Sequence, residues 1–280
     1  MEFSYRRVWP LLAVAFCGAW AFAQAEETAA RPEVLPLPEI REWTGPPPDH
    51  ALLPVGERMT YRIRWGIFHV ANSVLEIQPL KSVEGEPVYH ITMWNRTHGF
   101  ADRLYRVKDR HDSYMTADFS RSLLYEKIQE GHHTRDAKIV FDWDQMLALR
   151  TDWGAPWEDY IRLKDPTFDP LGIMYRFRLM SYREGGAVKL FATDGKELVP
   201  VEIDVVERQT IKTKIGRYEC YLVEPDTKNL RGVFSKSRGS GMAIWFHTEP
   251  PHVPVRLRSA VSVGSFEATL SSISGPGADA

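Results

Sequence analysis

From Glu57 onward the chain alternates. Met59, Tyr61, Ile63, Trp65 and Ile67 fall on one face, while Thr60, Arg62, Arg64 and Gly66 fall on the other. A period of two over this length predicts a half-buried antiparallel strand. Gly66 and the change of apolar phase near Ala71 and Asn72 predict a bulge or tight bend. A second strand with Leu75 and Ile77 then follows. Glu84-Gly85-Glu86-Pro87 predicts a turn before a strand through Tyr89, Ile91 and Met93. Further strands are predicted near 103–108, 111–117, 122–130 and 136–143, with a hairpin turn at Glu130-Gly131-His132-His133. The segments 145–151 and 160–163 complete a first β half. A second half runs through Val188, Leu190 and Ala192 to the turn signal Asp194-Gly195. It continues with strands at 199–205, 211–215, 218–223, 230–235, 241–248, 253–261 and 265–272.

One stretch breaks this grammar. Over Asp169 to Tyr182, Pro170, Ile173, Met174, Phe177 and Met180 recur at the 3, 4 spacing of a buried helical face. Asp169 suits an N-cap, and Pro170 at the first helical position loses only a donor that lacks a partner anyway. The expected fold is therefore mainly β: curved antiparallel sheets forming a half-barrel or β-roll, with one central α-helix over 169–183. Residues 55–273 are expected to form this domain, and 274–280 a disordered tail.

Composition adds a compartment. Arg6 and Arg7, an apolar run from Val8 to Phe22 and Ala23-Gln24-Ala25 have the layout of a cleavable secretory signal over residues 1–25. The competing reading is a retained anchor, because the apolar run is nearly long enough to span a bilayer. Cleavage removes Glu2, Arg6 and Arg7 from 37 acidic and 35 basic residues, leaving a formal charge of −3. That balance argues against a nucleic-acid partner. Cys220 would then be the one remaining cysteine, which excludes an intramolecular disulfide and reads as a small buried hydrophobe. Residues 26–54 form a Pro-rich linker, either free and extended or held on the domain by Leu35, Ile40 and Trp43.

Four motifs in order carry a family resemblance. They are Leu53-Pro54-Val55-Gly56-Glu57 with Tyr61, Trp65 and Gly66; Asp169-Pro170-Leu171 with Tyr175 and Arg178; Ile215-Gly216-Arg217-Tyr218-Glu219-Cys220; and Ile244-Trp245 with Glu249, Pro254 and Val255. From about Leu53 to Leu270 the chain resembles the uncharacterised bacterial envelope proteins grouped as domain of unknown function 3108. Asn72 and Gly172 depart from it, standing where glycine and serine are expected. The resemblance implies an exported envelope protein and no particular activity.

The search for chemistry yields no catalytic residue and no cofactor motif. His247, Glu249 and His252 lie within six residues and are of the right type for zinc, with His132 and His133 able to approach from a hairpin. Pro250 and Pro251 rule out the helical zinc-protease arrangement. Asp118, Asp142, Asp144, Asp152, Glu158 and Asp159, near Trp143, Trp153 and Trp157, are the candidates for a carboxylate pair in a sugar cleft. Gly239-Ser240-Gly241 lacks the spacing of a nucleophile elbow. The favoured expectation is a non-catalytic protein of the periplasm or cell envelope, peripheral to the membrane if it touches it. It would bind a lipid, another apolar or amphipathic component, or an envelope protein. Trp65, Tyr89, Met93, Trp143, Met174, Tyr175, Phe177 and Arg178 are the candidate ligand residues. The alternative is an envelope hydrolase for glycan or peptide, working through carboxylates or the His/Glu metal site. Arg178 and Tyr175 lie off the apolar stripe, so Arg178 either latches the halves through a strand carboxylate or borders a groove.

Overall fold

The alternating segments pair edge to edge into one large open sheet, described in the computed structural model for residues 37–48, 52–131, 134–152, 159–225, 241–260 and 265–276. The N-terminal series is β1 (Ile40–Glu42), β2 (Arg58–Trp65), β3 (Phe68–Ile77), β4 (Lys81–Val83), β5 (Glu86–Thr97), α1 (Gly99–Leu104) and β6 (Lys108–Thr116). Then come β7 (Ser122–Glu130), β8 (Thr134–Asp142), β9 (Leu147–Asp152), β10 (Asp159–Arg162), β11 (Thr167–Phe168) and α2 (Gly172–Arg178). The C-terminal series is β12 (Ala187–Thr193), β13 (Leu198–Lys212), β14 (Arg217–Pro225), β15 (Met242–His247), β16 (Pro254–Ala260) and β17 (Ser265–Ser274). Pairing is antiparallel except for β11 against β12, and the sheet is not closed into a barrel. The two series join through β17 and β2, with Leu270 opposite Tyr61 and Ala268 opposite Ile63.

Most predicted strands are present, and the departures have local causes. β2 stops at Trp65, because Gly66 and Ile67 make the turn and leave Ile67 78% exposed. The predicted bulge follows that turn: Ile63 faces Ala71 and Arg64 faces His69, which leaves Val70 unpaired. The strand expected over 103–108 is instead α1 followed by an extended link, and 111–117 belongs to the longer β6. The strands expected at 199–205 and 211–215 are one strand, β13, with a bulge at Val206 that moves the apolar residues to the opposite face. The signal segment 1–25, the expected strand at 230–235 and His132-His133 lie outside the described residues. β17 runs to Ser274, into the stretch read as tail.

The described part of the Pro-rich segment is strapped to the sheet. β1 pairs with β4, and Ile40 packs on an outer-face cluster of Val83, Val88, Tyr114, Leu124 and Val140. The Trp43 amide donates to the Leu80 carbonyl at 3.3 Å. Tyr89 fastens the strap's far end, its hydroxyl donating to the Leu53 carbonyl at 2.9 Å. The main core lies on the opposite, inner face, where Tyr61, Ile63, Tyr89, Met93 and Phe141 from the N-terminal series meet Ile203, Val223 and Phe246 from the other. The β12–β13 turn folds over β8 and β9. Gly195 there has φ +82, and a Cβ on it would lie 2.9 Å from Arg150 and 3.1 Å from Ile139, so only glycine fits.

Candidate functional site

The helix forms where the core needs it, and it is shorter than the sequence pattern suggests. α2 spans Gly172–Arg178; the Leu179 and Met180 amides close it by donating to the Arg176 and Phe177 carbonyls. Asp169 lies ahead of the first helical residue, yet it does the work of a cap. Its Oδ1 accepts the amides of Leu171 and Gly172 at 2.8 Å each, and its Oδ2 accepts the hydroxyls of Ser113 and Ser122 at 2.7 and 2.6 Å. Burial pushes the Asp169 pKa up, against the four donors that stabilise its anion. Gly172 is tied to this arrangement, because a Cβ there would lie 2.6 Å from Asp169 Oδ2 and 2.8 Å from Ser122 Oγ. The serine expected from the family pattern therefore has no room here.

An amphipathic stripe buries one face; this helix is buried on more than one. Met174 and Phe177 of the stripe are in the core, and so are Tyr175 and Arg178, which lie off it. A guanidinium without water needs a carboxylate in fitting geometry. Glu57, the residue before β2, supplies it: Arg178 Nη1 and Nη2 donate to Glu57 Oε2 and Oε1 at 2.6 and 2.7 Å. Arg178 thus latches the helix to the entry of the first long strand. Nearby, the Tyr61 hydroxyl donates to the Pro254 carbonyl at 2.7 Å, joining β2 to β16.

Glu57 also faces a cavity. At the mouth of the curled sheet, a space of about 490 Å³ lies between the strap, the β3–β4 and β15–β16 connections, and residues of β5, β14 and β17. Its apolar wall includes Leu53, Val55, Leu80, Val253, Leu270 and Ile273, with prolines from the strap and the connection. Its polar groups are Glu57, Tyr89, Tyr218, His247 and Glu249. Burial lowers the His247 pKa, against the pull of Glu249, so its imidazole is neutral at pH 7. The ring packs edge-on to Tyr218 at 5.5 Å.

Of the candidate ligand residues, Tyr89 lines this cavity. Met93, Met174, Tyr175 and Phe177 are packed into the core instead, and Arg178 stands behind Glu57. Trp65 stacks on Phe266, and Trp143 donates from Nε1 to the Ser122 carbonyl at 2.8 Å with Arg121 over its ring. The potential metal ligands separate: His247 and Glu249 face the cavity, whereas His252 directs Nδ1 to the His247 carbonyl at 2.8 Å and packs on Tyr182 and Tyr221. No three His, Cys, Asp or Glu side chains among the described residues are grouped as metal ligands. Asp118 and Asp142 accept the backbone amides of Ser120 and Gln145, which makes them turn formers. Trp153, Trp157 and Glu158 fall outside the described residues, as does the side chain of Asp159. The sequence missed the cavity wall itself, because the leucines and prolines of an irregular strap carry no period.

An open, curled antiparallel sheet with a helix buried on its inner face and a cavity at its mouth defines a β-barrel-like protein. The model of the family described as "Protein of unknown function (DUF3108)" matches residues 60–271, and the chain belongs to that family. Among solved structures, it is similar to the β-barrel-like protein of domain of unknown function DUF1849 from Brucella abortus. That match has a TM-score of 0.50 and 9% identity, covering 80% of this chain and 99% of the other. A protein from Bacteroides fragilis with a YmcC-like fold matches at a TM-score of 0.32 and 8% identity, over 80% and 99% of the two chains. The first supports the fold alone; the second carries no argument. No curated protein matches the sequence. No helix among the described residues is long and apolar enough to cross a membrane.

Proposed function

We propose that this is an exported, non-catalytic protein of the cell envelope that binds an apolar or amphipathic component in the cavity at the mouth of the sheet. The cavity carries the reading. Its roughly 490 Å³ falls in the range of small-molecule sites, and apolar walls with a few convergent polar groups are the usual composition of such sites. Export is supported by the signal-like layout of residues 1–25. The structure of the core is consistent with this division of labour: the helix side fills the interior, and the open volume is at the rim.

A hydrolase would have to rest on His247 and Glu249, which share the cavity with Glu57. Glu249 is exposed, and among the described residues no third group holds the pair in a catalytic geometry, so we assign these side chains to recognition of a ligand's head.

The test is native mass spectrometry of protein purified without detergent, together with saturation binding of a hydrophobic fluorescent dye. Bound lipid, or saturable dye binding that Val253→Trp removes without lowering the melting temperature, supports the reading. A ligand-free protein whose dye signal is the same in Val253→Trp would sink it.

A further inference from the structure

The polar groups of the cavity are one-sided in charge. Among its described lining residues are two carboxylates, Glu57 and Glu249, and no lysine or arginine. Arg178 takes both oxygens of Glu57 and balances its charge, which leaves Glu249 as the negative charge that the wall offers to a ligand. Glu249 is exposed at the rim and makes no ion pair among the described residues. His247 adds a neutral ring. A carboxylate or phosphate head placed beside Glu249 would be repelled, with no cation among the described lining residues to offset it, whereas an ammonium would gain a charge-assisted hydrogen bond.

We propose that the cavity takes a single-chain amphiphile whose head is a cation, with the aliphatic chain against Leu53, Val253, Leu270 and Ile273 and the head at Glu249. This rests on the cavity being a ligand site, and it adds the sign of the charge that the site selects. An uncharged head that donates a hydrogen bond should be intermediate. A free fatty acid should be the poorest fit, although its chain is the same.

Three probes of equal chain length separate these cases: dodecylamine, dodecanol and dodecanoate, each titrated below its critical micelle concentration at neutral pH and low salt. Dodecylamine should bind at least about tenfold more tightly than dodecanoate, as expected for one close charge contact near a protein surface. Glu249→Gln should shrink that gap several-fold and change dodecanol far less, because glutamine keeps an acceptor oxygen for the hydroxyl, and Val253→Trp should weaken all three. Dodecanoate binding as tightly as dodecylamine would overturn the charge selection and leave the cavity reading intact. A gap unaltered in Glu249→Gln would also overturn it, because the selectivity would then arise elsewhere. If none of the three binds, the cavity reading fails and this inference with it.

Discussion

Replacing Arg178 by methionine keeps most of the side chain's volume and removes its charge, which leaves the buried Glu57 carboxylate without its partner. Arg178 is fully buried and Glu57 is 4% exposed. The loss comprises two charge-assisted hydrogen bonds, at 2.6 and 2.7 Å. At about 1.5–3 kcal/mol each they sum to roughly 3–6 kcal/mol, in line with the 3–5 kcal/mol typical of breaking a buried pair. In a chain of this size a loss of roughly 3–6 kcal/mol corresponds to a melting temperature lower by roughly 6–24 °C. The assay is urea unfolding followed by tryptophan fluorescence, run on the wild type, Arg178→Met, Glu57→Leu and the double variant. The double variant should recover much of the loss, since replacing both charges by apolar groups avoids the desolvation that the pair must overcome. A single variant that costs under about 1 kcal/mol, or a double variant no better than the worse single, would refute the latch.

Three other outcomes follow from the same structure. His111 is buried against Tyr125, and burial, reinforced by Lys127, pushes its pKa well below the ordinary value near 6.5. The unfolded chain therefore takes up a proton that the folded chain refuses, so this stability is complete above about pH 6.5 and falls as the pH drops, by up to about 1.4 kcal/mol per unit. His69 and His247 shift the same way through burial, and His111→Phe should flatten the acid side of the melting profile without abolishing its slope; an unchanged slope would exclude His111. Gly172→Ala should cost roughly 1–3 kcal/mol by crowding Asp169 and Ser122, despite the better helix propensity of alanine, and a neutral or stabilising result in thermal melts would refute the packing argument. Burial raises the Cys220 thiol to about 12, so iodoacetamide should label it only in denaturant; rapid native labelling would contradict its burial.

The strands were legible because a half-buried strand writes its two faces into alternate residues, as β2 does from Met59 to Ile63. α1 was not, since it buries only Ala101 and six residues are too few to show a helical period. The unity of β13 was hidden for a different reason: the extra residue at Val206 carries the odd-numbered apolar positions from the face of Ile203 and Val205 to the face of Ile211, and the exposed run 206–208 breaks the alternation, so one strand imitates two. The helix was legible by its stripe, but its true extent was not, because Tyr175 and Arg178 are buried by partners distant in sequence. Glu57 meets Arg178 across 121 positions, a separation no local pattern encodes. The cavity was least legible, being the space left among segments without regular periodicity.

The pairing of β17 with β2 has a consequence for how the molecule is made. As the chain folds from its N-terminal end, the side of β2 that will receive residues 265–274 has nothing to pair with until almost every other strand of the sheet has emerged. Throughout that interval Met59, Tyr61 and Ile63 lie beside a bare row of amides and carbonyls, an invitation to strand exchange between neighbouring nascent chains. The alternating arginines at 58, 62 and 64 would give such mispaired strands repulsive neighbours. The charged face of this first long strand would then serve as a guard during assembly, before it becomes the wet outer surface of the finished sheet.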